Sequence, residues 1–236
     1  MSTLTTRRGA STEGTTDNGM QYVTGIDDHR TSTGLDNRKL LMWAFLGSDV
    51  MFFGTLIGTH LIYRNRNLSG PQEEILSIPI TTISTFVLLM SSLAMVLALA
   101  AIQRGNMGSF RFWTAIVAIF GSIFIGFQMF EFTEFAHLGL TPRTNLFGST
   151  FLVMTGFHGT HVAVGILWLW SILFASYKGK IHQGNSLQVE IAGLYWHFVD
   201  IVWIVIFGVV YLIGAYGAEG RALEDIPHAA RAVGIG

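Results

Sequence analysis

The stretch YWHFVDIVWIVIFGVVYL, residues 195–212, is apolar enough to lie in lipid along its whole length except at His197 and Asp200. An ionised side chain at the centre of a bilayer costs ~2.5–3.5 kcal/mol or more, so this pair requires compensation from protein. The spacing i, i+3 places both groups on one helix face, about one turn apart. Such a face must point toward other helices.

Four further windows have the roughly 20 predominantly apolar residues needed to cross about 30 Å of hydrocarbon. The five spans are expected near 40–63, 80–103, 112–135, 146–176 and 191–217. In lipid every backbone polar group needs an internal partner, and segments this long and uniformly apolar are unsuited to barrel strands. The expected fold is therefore all-α, a polytopic bundle of five transmembrane helices. The remainder of the composition agrees: 50% of the 236 residues are hydrophobic and 12% are charged, against ~25% charged in an ordinary soluble domain. The connections RNRNLSGPQEE (64–74), QRGNMGS (103–109), HLGLTPRTN (137–145) and YKGKIHQGNS (177–186) are polar and carry the turn residues. All four prolines (Pro71, Pro79, Pro142, Pro227) fall in connections, in a tail or at the start of a span.

Residues 1–39 form a polar N-terminal stretch without an apolar segment that could act as a signal-peptide core, expected to be disordered or docked on a partner. Residues 218–236 form a polar C-terminal tail, and 40–217 the membrane domain. An N-terminus in the cytoplasm places Arg30, Arg38, Lys39, Arg104, Arg111, Lys178 and Lys180 inside, against Arg64, Arg66, Arg143, Arg221 and Arg231 outside. The positive-inside rule thus favours a cytoplasmic N-terminus and a periplasmic C-terminus. Absence of cysteine removes disulfides, thiolate nucleophiles and cysteine-ligated metal centres, and a net charge of −1 carries no nucleic-acid footprint. Gly54 and Gly58 make a GxxxG step, while Gly156, Gly159 and Gly165 thin the fourth span; both patterns suit close helix approach.

The costly residues within the spans are Asp49 and His60 in the first, Glu131 and Glu134 in the third, His158 and His161 in the fourth, and His197 and Asp200 in the fifth; the second has none. EFTE, HGTH and HFVD each repeat the i, i+3 spacing. Asp49 lies near mid-membrane, where a carboxyl either keeps its proton or is paired. Glu131 and Glu134, at the end of their window, can reach toward the interface. His158 and His161 admit a metal or haem role, a proton- or lipid-headgroup role, or interhelical hydrogen bonding to carboxylates of the third or fifth span. Two histidines three apart on one helix cannot cap both faces of one haem, and the carboxylates are segregated from the histidines by span, unlike a bridged di-iron site. Hydrogen bonding is the default reading, and no catalytic, cofactor-binding or metal-ligating set is assigned. Asp49 is the candidate for a proton- or lipid-linked role; Glu131, Glu134, His158, His161, Glu190, His197 and Asp200 are expected to form a buried polar seam.

Three stretches carry a resemblance: FGSTFLVMTGFHGTHVAVG (147–165), VEIAGLYWHFVDIVWIVIFGVVYL (189–212) and GFQMFEFTEF (126–135), supported by LGSDVMFFG (46–54). Through them the chain resembles subunit III of the haem-copper terminal oxidases, most closely the cytochrome c oxidase branch. The resemblance spans roughly residues 40–214. It implies a subunit with no redox centre of its own, haem and copper lying in partner subunits I and II. It further implies packing mainly against subunit I, phospholipid binding, and support of proton uptake in a complex that takes electrons from cytochrome c and translocates protons. Glu131, His158, His161, Glu190, His197 and Asp200 fall where the family has the same residue types. Asp49 stands where many cytochrome c oxidase relatives have a carbodiimide-reactive glutamate. An aspartate there, and five spans rather than seven, are also similar to subunit III of bacterial quinol oxidases. Without the two leading helices of seven-span relatives, the chain cannot build their V-shaped lipid cleft alone. A five-span form implies a bacterial inner membrane.

Two functions of other classes are open to the same residues, an independent membrane metal enzyme and a proton-coupled transporter. The former lacks a ligand set converging from several helices, and the latter lacks inverted repeats or broken spans.

Overall fold

The computed structural model describes residues 36–63, 78–143 and 145–212. The polar stretch 1–35, the connection 64–77 and the C-terminal stretch 213–236, with Tyr216, lie outside the described residues. Five helices run α1 Asn37–Tyr63, α2 Ile78–Gln103, α3 Met107–His137, α4 Leu146–Tyr177 and α5 Ser186–Phe207, and among the described residues there is no extended strand. All five are long and apolar enough to cross a membrane. A π-helical turn, Gly208–Leu212, continues α5.

The helices overrun the apolar windows at several ends because capping, rather than hydropathy, ends them. The α2–α3 connection shrinks to three residues: Gly105 turns at φ 76°, which favours glycine, and Asn106 N–H returns to Ala101 O. Asn106 then caps α3 by accepting from Ser109 N–H at 3.1 Å. Helix α3 accordingly begins five residues before its apolar window, bringing Arg111 inside it. There Arg111 donates to Ser176 Oγ (3.0 Å) and Ser176 O (2.7 Å) at the end of α4, and its guanidinium lies 4.8 Å from the Tyr177 ring centre. Asn145 caps α4 in the same way as Asn106 caps α3, accepting from Gly148 N–H at 2.7 Å.

Helix α2 packs on α3 and α5, and α4 packs on α3 and α5, so these four close a ring. Trp196 of α5 occupies its middle, 2% exposed. A Cβ on Gly121 of α3 would stand 2.6 Å from the Trp196 ring, and one on Gly165 of α4 3.0 Å from it. Two neighbouring helices thus clear a slot for one indole. Its Nε1–H donates to Ser91 Oγ of α2 at 3.0 Å, so Trp196 touches the other three members of the ring. Gly159 serves a second close approach, since its Cβ would meet Gln128 Oε1 at 2.7 Å. Gly54, Gly58 and Gly156 differ: nothing lies within 4 Å of a Cβ at any of them, so they make no close approach among the described residues.

Helix α1 stands outside the ring, held by long side chains rather than close backbone contact. Leu46, Phe53 and His60 are its buried residues, seven apart, as a narrow packing seam requires. Phe45 stacks on Tyr195 of α5 (6.4 Å), and Phe52 meets Phe157 of α4 edge-on (5.2 Å).

Overpacking of a dense core costs typically 1–3 kcal/mol. Gly121→Ala is therefore expected to lower bundle stability by about that amount, with Gly54→Ala close to neutral. Thermal unfolding in detergent, read on both variants against wild type, checks the contrast; equal effects would show that the indole slot is not a constraint.

Candidate functional site

The polar groups of the spans gather chiefly in two places, the junction of α1 with α4 and α5, and the face of α2 toward α3 and α5, while His158 and Gln128 bond between α3, α4 and α5. At the junction three polar links succeed one another along α1. Lys39 Nζ bonds Glu190 Oε1 at the start of α5. Asp49 Oδ2 lies 3.5 Å from His161 Nε2 of α4. His60 Nδ1 lies 3.0 Å from Thr150 Oγ1, one end of α4 further on. Eleven residues separate Asp49 from His60 and Thr150 from His161, so the two helices run antiparallel in matched register.

His161 Nδ1 lies 2.7 Å from Phe157 O, an acceptor, so Nδ1 carries a proton and donates it. Its Nε2 and the facing Asp49 oxygen therefore attract each other when one proton is shared between them, as carboxylic acid with imidazole or carboxylate with imidazolium. At 3.5 Å the contact is an ion-pair distance rather than a good hydrogen bond, and Asp49 Oδ2 makes none. Tyr195 Oη donates to His161 O at 2.9 Å, and the Phe53 ring lies edge-on to the imidazole at 5.1 Å. This is a small, largely water-shielded acid–base pair at the edge of the bundle. The expected histidine–carboxylate contact thus forms, but with the first span instead of the third or fifth.

The second place was not signalled by charge. Helix α2, which carries no ionisable residue in its span, supplies the hydroxyls that meet the polar groups of α3 and α5. Thr81 donates to Glu131 Oε1. Thr85 Oγ1 accepts from Trp203 Nε1–H at 2.9 Å while donating to Thr81 O at 2.6 Å. Ser91 receives the Trp196 indole, and Ser92 Oγ lies 3.2 Å from His197 Nδ1 and also bonds Asp200. Thr81, Thr85 and Ser92 share one face of α2, and Ser91 stands about 100° around the helix from Ser92, so hydroxyls line the side turned to α3 and α5. His197 and Asp200 are joined through that face, with Asp200 Oδ1 buried and unpartnered.

His158 lies fully buried between Trp203 (stacked at 4.8 Å) and Phe124 (edge-on at 5.9 Å), its Nε2 3.2 Å from Val199 O. The tautomer with Nε2–H satisfies that carbonyl and leaves Nδ1 without a partner. Gln128, absent from the sequence-derived candidates, donates to Thr155 O of α4 at 2.7 Å. Glu134 differs from Glu131 three residues before it: Glu131 is 4% exposed, whereas Glu134 lies on the exposed side of α3. Among the described residues no three histidine, aspartate or glutamate side chains come together as a metal-binding group. The missed residues were hydroxyls and one amide; the recurrence of hydroxyls at 81, 85 and 92 on one face, with Ser91 beside it, was the available signal.

Losing the donor to a buried acceptor costs ~1–3 kcal/mol. Thr81→Val, which keeps the shape and removes the hydroxyl, is expected to destabilise the α2–α3 pairing by this amount, and Glu131→Gln in the same background to recover part of it. A double-mutant cycle on the unfolding midpoint checks the coupling; additive effects would show that Thr81 and Glu131 do not act together.

Comparison with known proteins places the chain in a family. Residues 29–215 match the family described as cytochrome c oxidase subunit III. The chain is 36% identical over 182 residues to cytochrome c oxidase subunit 3 of Bacillus sp. (strain PS3), covering 77% of this chain and 88% of that one. It is 37% identical over 191 residues to quinol oxidase subunit 3 of Bacillus subtilis, covering 80% and 93%. Similarity to cytochrome c oxidase subunit 3 of Alkalihalophilus pseudofirmus is 36% over 199 residues, covering 82% and 96%. With five membrane-crossing helices and a match over most of its length, the chain belongs to the haem-copper oxidase subunit III family, as a multi-pass membrane subunit of an oxidase complex.

Proposed function

We propose that the chain is subunit III of a proton-pumping cytochrome c oxidase in a bacterial plasma membrane, with its N-terminus in the cytoplasm and its C-terminus in the periplasm. It packs mainly against subunit I, beside subunit II; those partners hold the haem and copper, and reduced cytochrome c feeds the complex. The observation that carries the accessory role is the way in which the intramembrane polar groups are used. Glu131, His158, His161 and His197 each meet a hydroxyl, a carbonyl or a single carboxylate of a neighbouring helix, the arrangement of a scaffold. The wording of TGFHGTHV and LYWHFVDIVW supports cytochrome c as donor. The quinol reading draws on Asp49 and on the 37% identity to a quinol oxidase subunit, as high as that to the cytochrome c oxidase subunits.

Oxygen consumption by the purified complex separates the two. Reduced cytochrome c is expected to sustain turnover, and the complex to contain the dinuclear copper centre carried by subunit II of cytochrome c oxidases. A complex that reduces oxygen with quinol alone, and lacks that copper, overturns the donor assignment.

Within this role Asp49 and His161 hold an exchangeable proton at the α1–α4 junction and help sustain proton supply, or lipid anchoring, during turnover. Asparagine at position 49 keeps a donor for His161 Nε2 and removes the titratable proton. Asp49→Asn is therefore expected to leave assembly and initial rate intact while shortening the active lifetime under continuous turnover. Activity followed to inactivation at several pH values tests this, and an unchanged lifetime at all of them refutes it.

A further inference from the structure

At the end of the bundle where α2 and α4 finish and α3 and α5 begin, two connections are joined to each other. Gln183 Nε2 of the α4–α5 connection donates to Gln103 O at 2.7 Å, and a Cβ on Gly105 would stand 3.4 Å from Gln183 Oε1. Residues 104–106 (RGN) and 178–185 (KGKIHQGN) contain no carboxylate. Arg104, Lys178 and Lys180 are exposed there and have no ion-pair partner among the described residues. Lys39 and Arg111 differ, since Glu190 holds the first and Ser176 the second.

A hollow of about 130 Å³ opens beside Arg104. Leu97 and Ala100 of α2 with Trp113 of α3 give it an apolar wall, and Arg104, Asn106 and Ser109 give it a polar rim. The rim presents donors. Asn106 Oδ1 is taken by Ser109 N–H, which leaves the Asn106 amide NH₂ to donate outward. The Ser109 hydroxyl has no partner among the described residues, and the Arg104 guanidinium offers a planar fork of N–H groups.

We propose that this hollow seats a carboxylate side chain from a neighbouring subunit of the oxidase complex. Its aliphatic stem lies against Leu97, Ala100 and Trp113, and its oxygens accept from Arg104, Asn106 and Ser109. Charge selects an anion, because cations and neutral donors surround the hollow with no acid among them in either connection. Shape selects a side chain over a lipid phosphate: a phosphodiester brings its glycerol and two acyl chains with it, whereas the hollow has room for one short stem ending in a planar group that matches the arginine fork. An acidic side chain buried in a partner's pocket is the kind of contact that fixes the register of an interface.

The inference rests on the chain being a subunit of an oxidase complex and is independent of the electron donor. Its failure would leave the donor assignment untouched.

The test uses the intact complex in mild detergent, with loss of this chain followed over time by native mass spectrometry at several salt concentrations. Arg104→Gln is expected to leave the complex at least about tenfold faster than wild type at low salt, as when one member of an enclosed charge pair is removed, and to lose most of the salt dependence. Arg104→Lys, which keeps the charge without the fork, is expected to fall between the two. Ala100→Leu, which fills the hollow from its wall, is expected to speed release as well. A photo-reactive residue at Leu97 is expected to capture a peptide of another oxidase subunit with an aspartate or glutamate within one helical turn of the cross-link. Wild-type release rates in both Arg104→Gln and Ala100→Leu overturn the site. Capture of lipid, or of a peptide without an acidic residue there, overturns the occupant.

Discussion

Trp196 is the contact on which the bundle depends. In lipid the hydrophobic effect does not press helices together, because acyl chains are as apolar as leucine, so association rests on close packing and on hydrogen bonds. One indole from α5 provides both: its ring enters the space cleared by Gly121 and Gly165, and its N–H reaches Ser91. Helices α2, α3 and α4 are thereby indexed to α5 by a single rigid side chain. A register error in any of them would set a backbone against the ring or strand an N–H in a medium without water.

Around that index the remaining polar contacts repeat a simple exchange. A threonine or serine of α2 bonds an acid, indole or imidazole of α3 or α5, and the same hydroxyl can turn to its own helix carbonyl, as Thr85 does with Thr81. Such contacts satisfy polar groups without placing formal charges opposite one another in the core. Opposite charges face each other at the α1 junction, where Lys39 meets Glu190 and Asp49 faces His161. Helix α1 is thus attached by electrostatic and aromatic contacts, and its glycines face open space. The Asp49–His161 contact therefore sits near the edge of the bundle, outside the ring.

The outer faces follow from the same division. Packing inside the ring consumes the small residues of α3 and α4 that face Trp196 and Gln128, whereas Gly126 on the opposite side of α3 leaves a low floor beneath Phe127 and Phe130. Two glutamates one turn apart consequently have different surroundings, Glu131 bonded to Thr81 and Glu134 beside His137 on the exposed side of α3.

Five helices and an all-α bundle were legible in the residues themselves, because length and hydropathy are local properties and lipid leaves the backbone no other way to satisfy its own groups. The inward faces of EFTE, HGTH and HFVD were legible for the same reason, although Glu134 shows that i, i+3 spacing does not bring both members inside. The partners were decided only by tertiary structure. Ser48, Thr55 and Thr59 on exposed positions of α1 donate to carbonyls three or four residues back, and buried Thr85 of α2 does so as well. A hydroxyl is thus self-sufficient in a helix, and the residues alone do not distinguish one that faces lipid from one that receives an indole. The same holds for glycine: the GxxxG step at Gly54 and Gly58 faces open space, while Gly121, outside any motif, meets Trp196, because the need for a missing Cβ arises only when another helix arrives.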